Sequence, residues 1–122
     1  DKKVMKNIYD SLRRNGVLIV DMMGKEINAR IFMPRDWRRD GDYFLLEERK
    51  IVDDWRRIDM NWIVIKDNII KELKFNFRLF SAAELDGLLR ESGFKEIKFY
   101  GDLKGSPYDH KAMRLITVAR KI

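Results

Sequence analysis

The chain has 122 residues, 45% of them hydrophobic, with three Trp, four Tyr and seven Phe, enough for one apolar core and incompatible with a disordered polar segment. Lys and Arg number 26 against 20 Asp and Glu, and Cys is absent, which excludes a disulfide scaffold and a Cys-ligated zinc site and fits a reducing, cytoplasmic setting. The longest apolar runs, Val17–Val20 and Trp62–Ile65, are too short to span a bilayer, and nothing at the N-terminus reads as a secretion signal.

In chain order, Val4, Met5, Ile8, Tyr9 and Leu12 recur at helical spacing and predict a helix over 3–15. Gly16 stands where a left-handed cap would end it. Val17–Val20 follows as a continuous apolar run, which reads as a strand buried on both faces within a parallel sheet. Residues 26–42, with Pro34 and a dense charge run, are expected to form an irregular surface loop. Three stretches suited to antiparallel strands come next, at 43–52, 56–66 and 69–80. Ile58, Met60, Trp62 and Val64 share one face of the second, and Leu73, Phe75, Phe77 and Leu79 share one face of the third. Lys66-Asp67-Asn68 supplies the turn between them, since Asp and Asn tolerate positive φ.

Ser81 and Glu84 form a capping box that opens a helix with Leu85, Leu88 and Leu89 on its buried stripe and Gly93 as its stop. Strands are expected over 94–100 and 112–119, joined by a loop containing Gly101, Gly105 and Pro107. The chain thus reads as α/β (α+β taken alone), a single domain in three parts. These are a helix and buried strand at 1–25, a loop and β insertion at 26–80, and a helix with a terminal strand pair at 81–122.

The net charge of +6 invites a nucleic-acid reading. Its distribution opposes that, because residues 1–50 carry 12 basic and 9 acidic groups and residues 51–122 carry 14 and 11, with the signs interleaved. No phosphate-cradling glycine motif and no H-E-x-x-H occurs. Ser106, Asp109 and His110 supply triad residue types, but so close together in one loop that a triad geometry is not expected. Asp-Trp-Arg-Arg occurs at 36–39 and at 54–57 with dissimilar flanks and reads as coincidence.

Three passages, in order, resemble the C-terminal half of class I S-adenosylmethionine-dependent methyltransferases. Gly16-Val17-Leu18-Ile19-Val20-Asp21 is similar to the family's fifth strand, with Arg14-Asn15-Gly16 in place of its usual Pro-Gly-Gly turn. Phe80-Ser81-Ala82-Ala83-Glu84-Leu85, followed by Leu88-Leu89 and Ser92-Gly93-Phe94, is similar to the next helix and its exit. Tyr100-Gly101-Asp102 through Pro107-Tyr108-Asp109, then Arg114-Leu115-Ile116 and Val118-Ala119-Arg120-Lys121, is similar to the terminal strands of small-molecule members. Met23-Gly24-Lys25-Glu26 and Ala29-Arg30-Ile31-Phe32 resemble an uncharacterised subgroup.

The resemblance implies the Rossmann-like sheet in which strands five, seven and six are neighbours, interrupted here by an antiparallel insertion. It implies S-adenosylmethionine as cofactor of the full-length protein. The glycine-rich turn and acidic residue that grip the cofactor would precede Asp1, so no cofactor-binding residue, and no metal ligand, is assigned in this chain. The substrate is then a small molecule, and a missing N-terminal half is the partner. Ligands of such sheets sit beyond the carboxyl ends of the parallel strands, which points to Asp21, Met22 and Met23. Arg49, Trp62 and Arg78 would line the insertion as lid and pocket wall, and Tyr100 and Arg114 would reach the acceptor, each having a purely structural alternative. The expected product is the acceptor-side portion of a methyltransferase, inactive alone. A non-catalytic binding or dimerisation domain is the alternative, and a weak nucleic-acid binder the third. Strand 17–20, with its outer edge open, is expected to support a homodimer.

Overall fold

A computed structural model describes all 122 residues. They form two compact units, one made of residues Asp1–Arg30 and Phe80–Ile122, the other of Ile31–Leu79.

The first unit holds α1 (Lys2–Ser11), β1 (Val17–Met22), α2 (Lys25–Ile31), α3 (Ala82–Glu91), β6 (Ile97–Tyr100) and β7 (Leu115–Arg120). Its sheet has the order β1-β7-β6, with β7 antiparallel to both neighbours. This is the adjacency of strands five, seven and six. Leu85, Leu89, Phe94, Leu115 and Ala119 form the buried centre, and Met5, Ile8, Tyr9 and Leu12 of the first helical segment pack on it with Leu18 and Met22 of β1.

Helix α1 ends earlier than the periodicity predicts. Leu12 is already extended (ψ 145°), and Asn15, not Gly16, takes the left-handed conformation at φ 65°. Gly16 is needed for a different reason, since a Cβ there would lie 2.8 Å from the Arg13 carbonyl oxygen. The last carbonyls of the helical turn are capped from the far end of the chain, where Lys121 Nζ donates to the carbonyls of Tyr9 (2.8 Å) and Leu12 (2.9 Å). A cation there also suits the negative end of the helix dipole.

Strand β1 is not buried on both faces. Leu18 and Met22 turn into the helix-packed core, whereas Val17, Ile19 and Asp21 lie on the opposite face and Ile19 remains 61% exposed. Its only strand neighbour is antiparallel β7, and its outer edge is unpaired. An unbroken apolar run carries no information about which face is covered, and α1 and α3 both pack on the same one. Helix α3 follows its expected form: the Glu84 N–H donates to Ser81 Oγ (3.0 Å) and the Ser81 N–H to Glu84 Oε1 (3.2 Å). Strands β6 and β7 start later than expected, because Phe94 is a core residue ahead of the strand and Ala112–Arg114 belong to the loop.

The second unit is a four-stranded antiparallel sheet, in order β2 (Arg35–Asp40), β3 (Tyr43–Val52), β4 (Arg57–Lys66) and β5 (Ile69–Arg78). Asp67 (φ 50°) and Asn68 (φ 62°) make a two-residue turn between β4 and β5, as the sequence predicts. Ile58, Met60 and Leu79 form its buried cluster, joined by Trp62, whose ring meets Phe75 edge-on at 5.1 Å.

The irregular loop expected over 26–42 is instead α2 followed by β2. Two turns of helix with a single buried side chain, Ile27, are too short to show a period. The Arg-Asp-Trp-Arg-Arg-Asp strand is held at a sheet edge by backbone pairing to β3, not by side-chain burial. The two Asp-Trp-Arg-Arg passages have unrelated conformations, one inside β2 and the other in a turn where Asp54 and Trp55 have positive φ.

Candidate functional site

The carboxyl end of β1 leads through Met23 and Gly24 into α2, and this turn is fastened on every side. The Lys25 N–H donates to the Phe80 carbonyl at 2.7 Å, and Asn28 Nδ2 donates to the carbonyls of Met23 (3.2 Å) and Gly24 (3.1 Å). Only glycine fits at position 24, because a Cβ would collide with the Tyr108 hydroxyl and sit 3.1 Å from Leu115 Cδ2. Glu26, in the first turn of α2, accepts from the Tyr108 hydroxyl (2.9 Å) and from the Ala82 N–H (2.8 Å). Arg30, in its last turn, donates to the carbonyls of His110 and Ala112. Lys25 pairs with Glu84 of the α3 capping box. Helix α2 therefore anchors the 101–114 loop through Glu26 and Arg30 and meets the start of α3 through Lys25 and Glu26.

Burial, and then the hydrogen bond to Glu26, push Tyr108 above the usual tyrosine range, so it keeps its proton and acts as a donor. The Glu84 carboxyl is held below the usual range, first by the Lys25 ammonium, against an opposing desolvation effect. Asp102 is likewise lowered, first by the Ser106 side chain, and its Oδ1 accepts the N–H groups of Lys104 (2.9 Å) and Ser106 (3.1 Å). Ser106 and Asp109 are used within the loop's own turns, the latter accepting from the Lys111 N–H at 2.9 Å.

Beside this turn, Arg114 Nε meets Asp21 Oδ1 at 2.8 Å, both side chains about half exposed. These residues are 93 positions apart in sequence, and the β1–β7 register brings them together. Met22 faces the core, Met23 is exposed, and Tyr100 ends β6 opposite Ile116, bridged to Pro107. In the second unit Arg49 and Trp62 share a face, since Arg49 lies opposite Met60 and Glu47 opposite Trp62. Arg49 donates to the Met33 carbonyl (3.1 Å) and pairs with Asp36 (3.2 Å) and Glu47. The Trp62 Nε1 is buried without a partner. Arg78 lies opposite Arg57, on the other face of that sheet.

Of the residues singled out from the sequence, the structure thus brings Asp21 to Arg114 and Arg49 to the face that holds Trp62, and leaves Arg78 apart. It adds Glu26, Arg30 and Tyr108, which the sequence reading used only as motif letters. The signal for them was Gly24 followed two residues later by Glu26, a tight turn entering a helix with an acid in its first turn. No group of three or more His, Asp or Glu side chains is placed to hold a metal. No helix is long and apolar enough to cross a membrane.

Comparison with known proteins extends the geometry. The sequence matches no protein-family model and no functionally curated protein. The structure is similar to the CcbJ methyltransferase from Streptomyces caelestis, with a TM-score of 0.83 at 17% identity over 99% of this chain and 52% of that one. The chain has the fold of the C-terminal half of a class I methyltransferase. An S-adenosylmethionine-dependent methyltransferase from Clostridium acetobutylicum gives 0.77 at 14% identity, over 98% of this chain and 50% of that one. The sugar N-methyltransferase KedS8 from a Streptoalloteichus species gives 0.59 at 15% identity, over 98% and 48%. The chain therefore spans about half the length of the methyltransferases it matches.

The turn after β1 leaves no room for a bound cofactor at Gly24. The β1–α2 turn has one glycine, and the space beside it is filled by the Tyr108 hydroxyl and Leu115.

Proposed function

We propose that this chain is the acceptor-side portion of an S-adenosylmethionine-dependent methyltransferase acting on a small molecule, with the cofactor held by a further half of the full-length protein. The observation that carries the reading is the fold match over 99% of the chain at a TM-score of 0.83, with sheet order β1-β7-β6. Methyl transfer asks chiefly for alignment of the acceptor. A half-exposed guanidinium and carboxylate, Arg114 and Asp21, at the carboxyl end of β1 suit that task. Met23 and Tyr100 are proposed to flank them, with Met22 supporting Asp21 from the core side. Arg49 and Trp62, which share one face of the second unit's sheet, are proposed as that unit's own ligand contacts. The open outer edge of β1 is proposed to receive a strand of the missing half.

A second reading, a binding or dimerisation module, is favoured by that same edge, where Ile19 is exposed. Calorimetric titration separates the two. Under the first reading the 122-residue chain binds no S-adenosylmethionine, the full-length protein does, and Arg114→Ala lowers kcat/KM for the acceptor at least tenfold with cofactor affinity unchanged. Failure of the full-length protein to bind the cofactor overturns the first reading. A dimer that swaps through residues 17–20 supports the second, and steep salt-dependent binding to DNA or RNA would replace both.

A further inference from the structure

The four-stranded sheet ends on β5, whose outer edge has no strand beside it. Nine of its ten residues are exposed, including Ile70 at 68% and Leu73 at 57%. A long row of unpaired N–H and C=O groups is a template for another strand. Two of the usual defences of such an edge are absent: β5 contains no proline, and its register against β4 runs without a bulge from Arg57↔Arg78 to Lys66↔Ile69. Its charged residues between the ends are Lys71, Glu72 and Lys74.

Symmetry narrows what this edge can pair with. When two copies of one strand pair antiparallel about a two-fold axis, directly opposed residues must point their backbone groups the same way, so the axis passes through a residue facing itself. An axis at Glu72 or at Lys74 sets like charges opposite each other. An axis at Phe75 pairs only residues 72–78 and leaves Ile69 and Ile70 outside. An axis at Leu73 pairs all of 69–77 and sets each Glu72 opposite the second copy's Lys74, twice over. On the same register Leu73 faces Leu73, Ile69 faces Phe77, and the Lys71 stem lies across from Phe75, continuing the face that carries Trp62 and Met60. Within one chain Glu72 already accepts from Asn61 Nδ2 (2.8 Å) and lies 3.8 Å from Lys74, so pairing would extend this into a ladder of four charges.

We infer that two copies of this chain associate edge to edge through β5, antiparallel with Leu73 opposite Leu73, to make one eight-stranded sheet. The inference does not depend on the methyltransferase reading. Its test is sedimentation velocity of the 122-residue chain across a concentration series. The expected result is a concentration-dependent dimer that E72K or K74E alone weakens about tenfold, by opposing like charges, and that E72K/K74E together restores to within about threefold. Ile19→Lys, on the β1 edge, leaves the association unchanged. Because the chain has no other Cys, Leu73→Cys gives a second readout. Opposed Cα atoms of an antiparallel pair lie about 4.5–5.5 Å apart, within disulfide reach, so mild oxidation links the dimer covalently. A chain that stays monomeric, a dimer indifferent to both charge reversals, or a dimer abolished by Ile19→Lys overturns the inference.

Discussion

Gly93 and Gly87 lie six residues apart at and within α3, and the same substitution is expected to act on them in opposite directions. Gly93 follows the helix at φ 112°, a conformation side chains rarely adopt, and a Cβ there would lie 2.8 Å from Cζ of Tyr9. The backbone strain costs about 1–3 kcal/mol. The ring has little room to retreat, because it is packed edge-on against Phe94 at 5.1 Å and sits under the Lys121 ammonium at 4.5 Å. Overpacking adds about 1–3 kcal/mol. Gly93→Ala should therefore destabilise the first unit by about 2–6 kcal/mol, a large part of the roughly 6–18 kcal/mol expected for a chain of this size. Gly87 is exposed in the middle of α3 with nothing within 4 Å of a Cβ, so Gly87→Ala should stabilise by about 0.5–1 kcal/mol. Urea unfolding followed by circular dichroism at the helical band reads the first unit, where α1 and α3 lie, while all three Trp, at 37, 55 and 62, report on the second. Adding Tyr9→Leu to Gly93→Ala should recover the packing part and leave the backbone part. A Gly93→Ala protein within about 0.5 kcal/mol of the parent would refute the account of this helix exit.

Three further outcomes are expected. Because Glu84 has a folded pKa below its ordinary value of 4.5, its contribution to stability is present above that value and is lost as pH falls toward the lowered folded one. Acid unfolding of Glu84→Gln should lack this component, and Lys25→Met should shrink it. Tyr108→Phe leaves Glu26 with only the Ala82 N–H and should cost about 1 kcal/mol. In an ultraviolet titration, Glu26→Gln should bring the ionisation of Tyr108 part of the way down toward the ordinary tyrosine range, with the effect of burial remaining. Lys121→Met removes both donors to the last carbonyls of the first helix and should cost about 1–2 kcal/mol, seen as faster amide exchange in the last turn of α1 with α3 little changed.

The methyltransferase-like half was legible in the sequence where local signals were strong and agreed with one another. The Ser81–Glu84 box, the Asp67-Asn68 turn and the alternation of Ile58 and Met60 at the start of β4 each rest on chemistry within a few residues, and each reappears at its expected place. The errors fall where the deciding partner is remote. Helix α2 escaped notice because Glu26 and Arg30 are satisfied by Ala82, Tyr108, His110 and Ala112, more than 50 positions away. Strand β2 escaped because its charged side chains say nothing about its backbone pairing to β3. At the site, Asp21 and Arg114 were legible separately, yet they meet because the β1–β7 register sets Asp21 opposite Ile116, two residues from Arg114.

A length of 122 residues with a mixed charge of +6 limits the apolar interior to a modest size and implies a surface that carries both signs. The order of helices and strands followed from hydrophobic period and capping, which are properties of neighbours along the chain. Tertiary structure alone decided that there are two compact units and that β1 shows one face outward. It alone decided that Lys121 closes a helix more than a hundred residues before it. Those outcomes depend on which distant groups satisfy buried donors, acceptors and apolar faces, and linear spacing does not carry that information.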